Sequence, residues 1–348
     1  MPALSQRPYA LLLALVTAIL TDLGLLWLYW HFGIGADFAV FWRAVRNPSP
    51  YAFSALPFGN PPTALLLLQP LKLLSFWTGL AAWNLATFGL FLVLGSRLYG
   101  HKAAMLGTIS PAVVTALIAG QITMAVGALV FGAFLSGPIL CGVLLGVAVC
   151  TKPQMVFLAP VLFLFSREMR PLAAFCATVV LLALVATLTY GPSIWSDWIQ
   201  GMHNMLFVAK HRGALFLTIS PMTYGAWIGF LSVPASLLGL YLCKGLSNSN
   251  RAAAVVAASL FAAPYSMVYD LAPLAVFAAA LILRSTNWRS VSAALTYSGA
   301  LGPFSIPCLW PAIWQGGKVG SNSGAETPSI LAHMDRANAI DINPLPLG

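Results

Sequence analysis

From Tyr9 to about residue 312 the chain is a near-continuous series of apolar runs, interrupted by glycine, proline and short basic groups. A hydrocarbon layer of ~30 Å takes about 20 apolar residues of helix to cross. Soluble domains carry roughly a quarter of their residues as charges. Here only 7% are charged against 59% hydrophobic, with a mean hydropathy of +0.86. These features predict an all-α polytopic membrane protein. The basic residues sit in short groups between apolar runs, so the net charge of +9 reads as topology signals and phospholipid contacts, with no nucleic-acid partner.

Candidate spans by the length rule are 9–30, 77–96, 103–119, 121–136, 138–151, 153–166, 171–190, 219–242, 252–264, 269–284 and 290–312, a bundle of about 11 transmembrane helices. The first run follows Arg7, is longer than a signal-peptide core and lacks a clear cleavage site, so it reads as an uncleaved span. Segment 61–75 is apolar but short and carries Pro70 and Lys72, which favours an interfacial or re-entrant helix. Residues 1–312 form one transmembrane domain in this reading. The Gly/Ser/Asn/Pro-rich stretch 313–348 reads as a flexible polar tail. The 5 cysteines (Cys141, Cys150, Cys176, Cys243 and Cys308) lack metal-site spacing and read as buried free thiols.

Orientation follows from where the cations fall. If 61–75 does not cross, one side receives Arg7, Arg97, Lys102, Arg167, Arg170, Lys244, Arg251, Arg284 and Arg289. By the positive-inside rule that side is cytoplasmic. The opposite, extracytoplasmic side receives Asp37, Gln121, Lys152, Asp270 and two longer loops, 31–76 and 191–218. Counting 61–75 as a span scrambles the sorting.

Only 8 of the 348 residues are acidic, so each acid near lipid is a candidate for function. Asp37 follows the first run and precedes Phe41, Trp42, Arg43 and Arg46. It can serve as a general base, or pair with Arg43 or Arg46 to fix the loop. Lys152 stands against the charge trend at the outer rim and suits an anionic partner such as a lipid phosphate; snorkelling is the alternative. Gln121 can bind a sugar hydroxyl or cap a tight turn. Asp270, beside Tyr269, can hold a sugar hydroxyl, orient Lys152, or complement a helix N-terminus. His203, Lys210, His211 and Arg212 form a basic group suited to phosphate, or a solvated loop. Asp22, inside the first span, is expected to be buried against a polar neighbour. No metal cage, Walker loop, dinucleotide fingerprint or nucleophilic triad is evident, and no cofactor is expected.

The order of short motifs adds a resemblance. Asp37 after the first span, Tyr51, Asn60-Pro61-Pro62, Ser110-Pro111, Gly120-Gln121, Gly142 to Gly146, Thr151-Lys152-Pro153, Tyr190-Gly191-Pro192 and Ala263-Pro264-Tyr265-Ser266 together resemble glycosyltransferase family 87 over most of 31–285. These are polyprenol-phosphate-sugar-dependent, alpha-mannosyltransferase-like membrane enzymes. The resemblance implies a GT-C fold in a bacterial-type inner membrane, metal-independent transfer on the periplasmic face, and a polyprenyl-phosphate sugar donor. It puts the base role on Asp37 and a donor-phosphate role on Lys152. The resemblance further implies a glycan or glycolipid acceptor and, as the sugar, mannose or another hexose or pentose. Many members carry a histidine near the position of Tyr269-Asp270, and this chain has none there. The rival readings are a transporter or flippase of lipid-linked sugars, which needs polar residues along a mid-membrane path, and a structural membrane subunit.

Overall fold

The computed structural model describes residues 7–51, 58–211, 219–223, 225–284 and 288–298, with 306, 307, 309, 310, 312 and 313. The expected tail therefore lies outside the described residues, apart from Ile313. Among those described there are fifteen α-helices and no strand. They are α1 (Arg7–Phe32), α2 (Ala36–Ala44), α3 (Pro62–Leu68), α4 (Phe76–Tyr99), α5 (His101–Thr108), α6 (Pro111–Ala119), α7 (Thr123–Leu135) and α8 (Pro138–Thr151). There follow α9 (Ala159–Ser166), α10 (Met169–Tyr190), α11 (Ile194–His211), α12 (Ala226–Cys243), α13 (Asn248–Ala262), α14 (Ala272–Arg284) and α15 (Trp288–Ser298).

The centre is built from α7, α13 and α14, whose side chains are buried almost all round. Alanine makes this possible: Ala252, Ala253, Ala254, Ala257 and Ala258 keep α13 thin, and small side chains let helices approach closely where lipid supplies no hydrophobic drive. The pair α8–α10 uses the same device. A Cβ on Gly142 would collide with the Pro171 carbonyl, and one on Gly146 would lie 2.7 Å from Thr178 Cβ.

The outer helices show the reverse pattern. On α10, Val180, Leu181, Leu184 and Leu188 are exposed, and on α1 so are Leu12, Ile19, Leu20, Leu23 and Trp27. Apolar faces of this extent suit a hydrocarbon surround. By length and composition α4 and α10 can each cross a membrane, and α5 with α6, bent by 61° at their break, forms a third candidate.

The expected eleven full crossings are not what these lengths support. The run 103–119 breaks at Ser110, whose hydroxyl caps the Val113 N–H while Pro111 opens α6. Helices α7 and α8 have 13 and 14 residues, about 20 Å each at 1.5 Å per residue. The run 153–166 divides into a 3₁₀ turn, Pro153–Met155, and the short α9. Segment 61–75 is seven residues of α3 followed by a 3₁₀ turn, Gln69–Leu73, too short to cross. Most of 191–218 is helix α11 rather than open loop. Cys141, Cys150 and Cys243 are buried free thiols, but Cys176 is exposed on α10; Cys308 lies outside the described residues.

Candidate active site

Asp37 is carried into place by its neighbours. Gly33, at φ +92°, ends α1, and Gly35, at φ +75°, starts α2. The Gly35 N–H donates to the Ile118 carbonyl at 2.8 Å, which ties the start of α2 to the end of α6. Phe38, Phe41 and Val45 then recur at helical spacing and are buried, with Phe38 against Phe76 and Phe41 against Phe58. The stripe fixes α2, and Asp37 comes to the α6–α7 junction.

That junction demands glycine. Gly120 is left-handed at φ +70°, and a Cβ there would lie 2.6 Å from Phe38 Cβ and 2.7 Å from Leu80 Cδ1. Its turn places Gln121, whose Nε2 donates to Asp37 Oδ2 at 2.8 Å. Gln121 Oε1 in turn accepts from Lys152 Nζ at 3.3 Å and from the Ile122 N–H at 3.2 Å. Lys152 Nζ also donates to Thr123 Oγ1 at 2.8 Å and forms an ion pair with Asp270 Oδ1. Thr123 donates to that same carboxylate oxygen at 3.0 Å, and Asp270 Oδ2 accepts from the Met267 N–H at 3.0 Å. The Tyr269 ring lies under the lysine, 4.5 Å from Nζ to its centroid.

Four widely separated residues thus form one chain: Asp37, Gln121, Lys152 and Asp270. Each stands at or beside a helix end. Asp37 opens α2, Gln121 lies between α6 and α7, Lys152 follows α8, and Asp270 sits in the 3₁₀ turn Val268–Leu271 before α14. Their exposures differ in a way that matters. Gln121 is 6% exposed, Lys152 4%, and Thr123 and Asp270 0%, whereas Asp37 is only partly buried. All three Nζ protons of Lys152 are directed at partners within the protein.

Crowding around Asp37 pushes its carboxyl above the usual carboxylate range. The Gln121 hydrogen bond and the Lys152 charge pull it back, and the Asp270 charge raises it again. Burial, then the charges of Asp270 and Asp37, hold the phenol of Tyr265 above its ordinary range.

The alternative that Asp37 pairs with Arg43 or Arg46 does not hold. Arg46 stacks over Trp42 at 3.8 Å and donates to the carbonyls of Trp42, Leu71, Lys72 and Leu74, closing the Gln69–Leu73 turn. Arg43 is exposed and makes no ion pair among the described residues. His203 is exposed on α11, its ring within 3.0 Å of the Ile199 carbonyl. The side chains of Lys210 and His211, and the whole of Arg212, lie outside the described residues. Asp22 lies close enough to the Tyr297 phenol for their charges to interact, while its Oδ1 is buried with no hydrogen-bond partner among the described residues.

Two hydroxyl residues of the cluster, Thr123 and Tyr265, were not among the expected site residues. A further set explains the Asn60-Pro61-Pro62 motif. Asn60 Nδ2 donates to the Thr151 carbonyl at 2.9 Å, and Thr63 donates to the Cys150 carbonyl. Tyr51 donates to the Asn60 carbonyl at 2.8 Å, and Trp198 Nε1 to Gly59 at 3.2 Å. The first long loop and α11 are thereby pinned to the end of α8, one residue before Lys152.

No curated protein and no solved structure matches the chain. One protein-family model does, over residues 58–301, more than half of the chain. The match takes in Gln121, Thr123, Lys152 and Asp270 and begins beyond Asp37, whose place in the cluster rests on the geometry above. An all-helical chain with apolar outer faces and this match belongs to glycosyltransferase family 87.

Proposed function

We propose that this glycosyltransferase moves a sugar from a polyprenyl-phosphate donor to a glycan or glycolipid acceptor at the extracytoplasmic membrane surface, with Asp37 as general base. The observation that carries the reading is the exposure pattern of the cluster. Asp37 is the most exposed member of the hydrogen-bonded chain, and so the one best placed to touch a substrate.

In the proposed step an acceptor oxygen attacks the anomeric carbon and its proton passes to the Asp37 carboxylate. The C–O bond to the donor phosphate breaks, and the polyprenyl phosphate leaves with the bonding electrons. A carboxylate with a raised pKa binds that proton more readily, which favours general-base catalysis near neutral pH. Gln121 holds Asp37 by one amide N–H and receives Lys152 on its carbonyl, so the lysine's charge reaches Asp37 through Gln121. Lys152 and Asp270 act as positioning residues. The departing phosphate is left to exposed basic residues on the outer elements, Arg43 on α2 and His203 on α11, with Lys210, His211 and Arg212 further along the sequence. The apolar faces of α1 and α10 supply a lipid-facing approach for the polyprenyl chain.

The test is transfer from a radiolabelled polyprenyl-phosphate sugar by the purified protein in lipid nanodiscs. Label appearing in an acceptor supports the reading. Transbilayer movement of the intact donor in vesicles, with no transfer, would replace it by the flippase reading.

A further inference from the structure

A concave site lies at the other end of α8 from Lys152, about 20 Å away along the 14-residue helix. It is a cavity of ≈ 470 Å³ where the beginnings of α8, α10 and α13 meet the end of α7. Arg167, Arg170 and Arg251 line it with a single acid, Glu168, and with Asn248 and Phe134. Glu168 Oε2 pairs with Arg251 Nη2 at 2.7 Å, leaving two positive charges in excess. Arg251 Nε is buried with no hydrogen-bond partner among the described residues. Arg167 and Arg170 enter no ion pair among the described residues.

The backbone adds to this field. None of the three helices is capped by a side chain at its start: Gly137 precedes α8, Glu168 precedes α10, and Ser247 precedes α13 without a capping hydrogen bond. Helix starts carry partial positive charge and free N–H groups, the elements of an anion site. Guanidinium forks match phosphate oxygens in pairs. The Phe134 ring, 5.9 Å from the Arg251 guanidinium, gives the cavity an apolar wall. Solvated cytoplasmic arginines would account for the charges, but not for a concavity with a buried, unpartnered guanidinium N–H.

We propose that this cavity binds a phosphate group, presented by an anionic phospholipid headgroup or by free phosphate, at a site separate from the Asp37 cluster. The test uses the full-length protein in neutral detergent. Native mass spectrometry compares retention of phosphatidylglycerol with that of phosphatidylcholine, and a parallel arm measures unfolding temperature with inorganic phosphate. Each basic residue near an anionic headgroup is worth about fivefold in binding. The double variant Arg167→Asn, Arg170→Gln should therefore lose phosphatidylglycerol retention by about 25-fold. Asn suits the left-handed backbone at Arg167, φ +56°, so the exchange leaves the turn intact. Glu168→Gln should tighten retention, and Arg97→Gln, away from the cavity, should leave it as in the wild type. Retention selective for phosphatidylglycerol and lost in the double variant supports a headgroup. Stabilisation by inorganic phosphate, lost in the same variant, supports the bare anion. Equal retention of both lipids with no phosphate effect, or an unchanged double variant, overturns the proposal.

Discussion

Replacing Lys152 with Met leaves the Asp270 carboxylate at 0% exposure with two donors, the Thr123 hydroxyl and the Met267 N–H. Breaking a buried ion pair from one side costs about 3–5 kcal/mol, because the remaining charge cannot return to water. Asp270→Asn creates the opposite fault. The ammonium of Lys152, 4% exposed, then loses its counter-charge and keeps only neutral partners such as Thr123, Gln121 and the Tyr269 ring, at a similar cost of ~3–5 kcal/mol. The combined variant removes both charges at once and should fall about 2–3 kcal/mol short of the summed losses. Reversible unfolding of the purified protein by a denaturing detergent, followed by tryptophan fluorescence, measures all four corners of this cycle. Donor kinetics on the same proteins add a second reading. If Lys152 works through the network, Lys152→Met and Asp270→Asn change kcat together and leave the donor KM alike. Additivity within about 0.5 kcal/mol, or a donor KM raised by Lys152→Met alone, would refute the argument that the lysine is committed inside the protein.

Because burial raises the Asp37 pKa, log kcat/KM should rise with pH through an apparent pKa above the usual ~4 of a carboxylate. Gln121→Ala removes a hydrogen bond that favours the ionised form, and should move that limb to still higher pH in a pH–rate profile. A limb that stays put contradicts the assignment. Gly120→Ala must place a Cβ 2.6 Å from Phe38 Cβ on a left-handed backbone. Strain and overpacking together should cost about 2–4 kcal/mol in the unfolding assay and most of the transfer rate; wild-type stability would mean that the α2–α6 contact is looser than described. Asn60→Ala frees the segment before α3 from the Thr151 carbonyl and should raise proteolytic nicking between α2 and α3 while the remaining chain stays folded.

The cluster was legible in sequence because charge is scarce. Asp37, Lys152 and Asp270 have few possible partners in a chain this apolar, and sorting loops by cation placement put them on one side together with Gln121. Hydroxyls carry no such signal. Thr123 bridges Lys152 and Asp270, yet serine and threonine are common in apolar helices, where they usually bond the preceding turn, as Thr115 does with Pro111. Helix number was poorly legible for a related reason. Uniform apolarity marks residues 103–166 as membrane-compatible but gives no contrast at the breaks, which are set by Ser110-Pro111, Gly120 and Lys152-Pro153. Those signals mark where helices start and stop, and they do not say whether two short helices together make one crossing. The roles of Arg43 and Arg46 were not separable in sequence either, since only the fold delivers the Gln69–Leu73 carbonyls to Arg46.

The central claim is that Asp37 takes the acceptor's proton, and Asp37→Asn tests it most directly. Asn retains an oxygen to accept the Gln121 N–H, so the local fold survives. The sign of the stability effect follows from the raised pKa. The folded state holds the Asp37 proton more tightly than the unfolded chain does, so ionised Asp37 lowers stability as pH climbs through the folded pKa. Removing the charge should leave the variant at least as stable as the wild type at pH 7. Single-turnover transfer from a saturating polyprenyl-phosphate sugar should then fall by about 10²–10⁴, the usual contribution of a positioned general base. Transfer within a few-fold of wild type by a stably folded Asp37→Asn protein would contradict the account.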